Sequence, residues 1–166
     1  MASQWYSLVS QKLFLARTLL GQIDAPADET TNEAELALRR ESVIQGTIEL
    51  LLRSRKLSLV MIARFYQHKH EEPSSLDQLA ELIGEDSGDI SRLRELEKHA
   101  GSWWNHLDQL ERSQSRPPVA RKTVSAENVI AIAEDTGPDR SAAALYRTLT
   151  AMKNFADNLE EQHSEW

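Results

Sequence analysis

An arginine and a histidine held close together can carry phosphodiester chemistry. The guanidinium stabilises charge developing on the phosphorane oxygens, and the imidazole moves a proton near neutral pH. The stretch "ARFYQHKH", residues 63–70, supplies such a pair in Arg64 and His70. Its setting favours another reading. Phe65 directly follows the arginine, and Glu71, Glu72 and Pro73 already end the helix, so both cations can simply face the negative end of a helix dipole.

A second set of residues sits inside apolar stripes. Lys12 has Leu8, Val9, Leu15 and Ala16 three and four positions away. Arg40 has Leu36, Ala37, Val43 and Ile44, and Arg55 has Leu51, Leu52, Ser58 and Leu59. Each cation must emerge at the stripe margin or meet a carboxylate or a bound anion, because an unpaired buried charge costs several kcal/mol. Glu97 and Glu111 are candidate partners, and a small-anion or ligand pocket around Lys12, Arg40 and Arg55 is the alternative. Gly46, Thr47, Ser54 and Ser58 reduce side-chain volume on the same helix, allowing close helix approach or a small cavity.

Metal chemistry finds little support. Carboxylate-bridged sites in helical proteins need two Glu-x-x-His motifs, and only Glu160 with His163 fits. His99 and His106 would stand about 10 Å apart along one helix, too far to share an ion. With no cysteine, thiolate catalysis and Cys-based zinc sites are excluded, and no nucleophile-elbow or phosphate-loop motif occurs. No metal and no cofactor are expected. Trp5, Trp103 and Trp104, with Trp166, read as core and interface anchors rather than as a platform for stacking bases.

These residues need helices to position them. Apolar residues recur at spacings of three and four throughout, and strand alternation is nearly absent. Helices are predicted from the N-terminus to Ile23; from about Glu33 to Gln67, opened by Thr30 with Glu33 or Asn32 with Glu35; over "SLDQLAELIG"; from about Asp86 to Ser113; over "SAENVIAIAED"; and from about Asp139 onward. The expected fold is all-α: an antiparallel four-helix bundle with two short additional helices, forming one domain over 1–166.

The net charge of −7 argues against general nucleic-acid binding, although residues 50–70 and 112–122 are locally basic and acid-free. No apolar run is long enough to span a membrane, and the N-terminal segment, interrupted by Lys12 and Arg17, reads as an amphipathic helix rather than a signal peptide. Absence of cysteine suits a cytoplasmic location.

Two resemblances follow. Arg64 and His70 have the spacing found in helical ribonucleases of the HEPN class, which implies a metal-independent enzyme whose catalytic pairs meet at a dimer interface. More extensively, "QKLFLA" at 11–16, "RES" at 40–42 and the aromatic pair Phe65–Tyr66 resemble a family of short helical proteins from Pseudomonas and related gammaproteobacteria, a domain of unknown function. That family's pattern includes Lys12 and Arg40 and implies no activity. The expectation is a non-enzymatic interaction or regulatory module with a protein partner or a second copy.

Overall fold

Side-chain oxygens start most of the helices. Ser3, Asn32, Ser75, Ser102 and Ser141 each accept a hydrogen bond from the backbone N–H three residues on, at 2.9–3.2 Å, which satisfies a donor the helix itself leaves free. Between the two caps considered for the second helix, Asn32 is the one used. The structure, a computed structural model, describes residues 2–117 and 137–164. The helix expected over 125–135, Arg121, Lys122 and Trp166 lie outside the described residues.

The described residues form six helices and no strand: α1 (Gln4–Leu20), α2 (Glu33–Phe65), α3 (Leu76–Ile83), α4 (Gly88–Lys98), α5 (Trp103–Gln114) and α6 (Ala142–Ser164). Val9, Leu13, Ala16 and Leu20 of α1 pack into one core with Ile48, Leu51 and Met61 of α2, Leu107 and Leu110 of α5, and Leu145, Phe155 and Leu159 of α6. The spacing of these residues follows the 3.6-residue helical period, so burying one stripe per helix drives the assembly.

The helix pattern predicts one element from about 86 to 113, but the chain breaks it at 99–102. Gly101 weakens helix propagation, while the Ser102 hydroxyl accepts from Asn105 N–H at 3.1 Å and donates to the Leu96 carbonyl, ending one helix and starting the next. The two adjacent tryptophans at the start of α5 point to different neighbours. Trp103 packs against Phe155 of α6, with ring centroids 5.3 Å apart, and Trp104 lies beneath Arg55 of α2 at 4.9 Å.

Small residues on α2 serve close packing. Thr47, Ser54 and Ser58 are buried, and each hydroxyl donates to the carbonyl four residues earlier. A methyl group on Gly46 would come within 2.9 Å of Leu19 of α1. Around α2, Glu41 pairs with Arg140 just before α6, and Phe65 stacks on His163 near the end of α6. α1 meets α6 through Ser3 with Glu160 and Tyr6 with Asp157. α3 and α4 are joined by Arg94, whose guanidinium binds Asp77, Glu85 and Glu97; the bonds to Glu85 and Asp77 raise its already high pKa.

Candidate functional site

The most buried charge among the described residues is Asp89, 2% exposed in the first turn of α4, where free N–H groups favour a carboxylate. Its Oδ2 receives His163 Nε2 at 2.9 Å and the Tyr66 hydroxyl at 3.1 Å. An ionised carboxylate only accepts, so in that form Asp89 selects the His163 tautomer that donates from Nε2. The ring of His163 stacks on Phe65, with centroids 4.5 Å apart and planes 8° from parallel. Burial raises the pKa of the Tyr66 phenol, and the neighbouring Asp89 charge adds to that. Ser87 Oγ lies 2.9 Å from the Tyr66 hydroxyl and makes no bond to His163, so no Ser-His-Asp triad forms here.

A second polar group lines a cleft of about 500 Å³ between α2, α3 and α5. At its wall Arg55, whose side chain is 11% exposed, meets Asp108 at 2.5 Å and Glu111 at 2.6 Å and covers the Trp104 ring. Of the two carboxylates named from sequence, Glu111 reaches Arg55; Glu97 instead accepts from Arg94. Arg55 is thus neutralised within the chain. Lys12 and Arg40 do not line this cleft. Among the described residues the Lys12 ammonium bonds Gln11 at 3.5 Å, and Arg40 is exposed, so the three stripe cations do not converge.

Arg64 caps its own helix. Its Nη1 donates to the carbonyls of His68 at 2.5 Å and Glu71 at 2.6 Å, and the guanidinium lies 4.9 Å over the Trp5 ring. His70 is exposed, and its backbone N–H donates to Glu71. Trp103 and Trp104 are buried at 7% and 5% exposure, so they serve the core; Trp5 is half-buried under Arg64. His106 bridges the Thr148 hydroxyl at 2.6 Å and the Asp139 carbonyl at 2.7 Å, whereas His99 is exposed where α4 ends. Glu160 accepts from Ser3, away from His163, and no group of three or more His, Asp or Glu suited to a metal ion occurs among the described residues.

The start of α2 differs from all of this. Residues 32–40 are exposed without a break, although the buried stripe of the helix continues through them. Stepping back from Val43, Ile44 and Thr47 by helical periodicity reaches Arg40, Ala37, Leu36 and Glu33. Leu36 is 39% exposed on that face, and Leu38 is 70% exposed on the opposite one.

The model of the family described as "Family of unknown function (DUF6586)" matches residues 1–166. The chain belongs to this family. No curated protein and no solved structure matches it. Within this DUF6586 chain, sequence reasoning missed Asp89, which reads as an ordinary acid in a first helical turn, and met His163 only as half of a metal motif. Nothing local could join them, because they are far apart in sequence. The exposed start of α2 did carry a signal in Arg40, the cation among Leu36, Ala37, Val43 and Ile44.

Proposed function

We propose that this DUF6586 chain is a non-enzymatic helical interaction module of the cytoplasm that engages another protein through the first turns of α2. One observation carries the reading: the core-facing stripe of α2 runs on through Arg40, Ala37, Leu36 and Glu33 where none of these is covered. A helix stands in water chiefly by burying such a face, and so short a segment is marginal without a partner. The scaffold behind it is one domain, an antiparallel four-helix bundle of α1, α2, α5 and α6. Contacts between opposite ends support that arrangement: Trp5 with Arg64 and Leu19 with Gly46 for α1 and α2, Ser3 with Glu160 for α1 and α6, and Trp103 with Phe155 for α5 and α6.

The ribonuclease alternative asks Arg64 for a free guanidinium, and its bonds to two carbonyls and its place over Trp5 count against that. The small-anion alternative asks Arg55 for the same freedom, and Asp108 and Glu111 occupy it.

The test replaces Leu36 with a photo-crosslinking residue in cells and, as a control, does the same at Glu95 on the exposed side of α4. A protein adduct at position 36 and none at 95 is expected. No adduct at 36 would sink the reading.

A further inference from the structure

The uncovered face reads Glu33, Leu36, Ala37, Arg40, acid at one end, base at the other and apolar between. All four residues are exposed, and among the described residues neither the Glu33 carboxylate nor the Arg40 guanidinium enters an ion pair. Such a face is complementary to itself. Two copies laid antiparallel about a two-fold axis between positions 36 and 37 would bring Glu33 of each onto Arg40 of the other, twice over. Leu36 and Ala37 of both chains would meet at the centre. An isologous contact needs this kind of reciprocity, residue i meeting j as j meets i.

We propose that the partner of this surface is a second copy of the same chain, paired through the first turns of α2 as a two-fold, antiparallel helix contact. The inference rests on the interaction reading above and names its occupant. Alternatives fit the charge pattern less well. An acidic partner would meet Arg40 and be repelled by Glu33, and a basic one the reverse, whereas a second copy satisfies both ends at once. Arg40 also gains its reason for standing in an apolar stripe: it forms the rim of a small apolar patch at an interface. Two helical turns per protomer bury far less than the roughly 800 Å² per partner of a standard interface, so the dimer is weak, with a Kd of about 10–1000 µM.

Charge reversal tests the pairing. Glu33→Arg leaves two bases on the face and Arg40→Glu leaves two acids. Each variant alone is expected to lose association by sedimentation equilibrium or light scattering at concentrations up to about 1 mM. Mixing the two single variants, or combining both substitutions in one chain, is expected to restore it. The residues are exposed, so circular dichroism should show unchanged helicity in every variant. A wild type that stays monomeric throughout that range, or single variants that associate as well as wild type, would overturn the proposal. A crosslink from position 36 to a different protein, with wild type strictly monomeric, overturns the two-fold pairing and leaves the interaction reading standing. Absence of any crosslink removes both.

Discussion

His163 shows how much one partly buried side chain can hold when its partner is shut away from water. It bonds Asp89 of α4 and stacks on Phe65 of α2 from its own place near the end of α6. Truncating it would leave the Asp89 carboxylate, 2% exposed, with the Tyr66 hydroxyl and the helix N-terminus as its support. Leaving a buried polar group without one of its hydrogen-bond partners costs about 1–3 kcal/mol; with Tyr66 and the helix dipole retained, we expect His163→Ala to cost about 2 kcal/mol in urea unfolding. His163→Gln keeps an N–H donor and is expected to recover about half of that loss. Equal losses in both variants would mean that the stack on Phe65, rather than the bond to Asp89, is what matters. None of this is legible in sequence, because the energy lies in a contact between positions 89 and 163 and neither neighbourhood is unusual. Arg55 was legible in part: a cation flanked by leucines must reach the stripe margin or meet an anion, and of the two carboxylates named from sequence it meets Glu111, together with Asp108, which was not named.

At the scale of elements, the end of α2 records a compromise. Gln67 adopts φ 68°, the left-handed region that glycine usually fills, and the chain closes the helix by bonding His68 N–H to the Ala63 carbonyl at 3.0 Å. A side chain there costs about 1 kcal/mol. Gln67→Gly is therefore expected to stabilise the protein by about 0.5–1 kcal/mol in thermal melts, and a destabilised variant would show that the glutamine side chain makes a compensating contact. Helix ends of this kind were readable within a few residues, since caps and breakers are local chemistry. The break at 99–102 was not. Apolar spacing passes across it undisturbed, and only the tertiary arrangement, with Trp103 turned to α6 and Trp104 to α2, reveals why two helices pack better than one. Arg40 marked the start of α2 in the sequence, but not where its cover ends: periodicity says which face seeks burial, never how far along that face the neighbours reach.

Over the whole molecule, acid should loosen the contact between α2 and the approach to α6. The hydrogen bond from Arg140, assisted by Gln45, holds the Glu41 carboxyl below its ordinary value of 4.5. A carboxylate depressed in the folded state contributes stability that is present above pH 4.5 and lost as pH falls through the lowered folded value. Both side chains are about a third or more exposed, so the contribution is under about 1 kcal/mol. Glu41→Gln should therefore sit slightly below wild type in stability at neutral pH, and the two urea midpoints should converge as pH falls well below 4.5. A constant gap would place the effect of Glu41 in packing. Across the described residues the all-helical fold was legible because periodicity repeats in each of their segments, whereas the contacts that bind the segments together are mostly single pairs. One such pair also has an optical consequence. The indole rings of Trp103 and Trp104 lie 5.5 Å apart and 61° from parallel, close and oblique enough for their excited states to mix. That coupling gives a paired positive and negative band in circular dichroism that belongs to the first turn of α5 alone, so the loss of this helix can be followed separately from the melting of the rest.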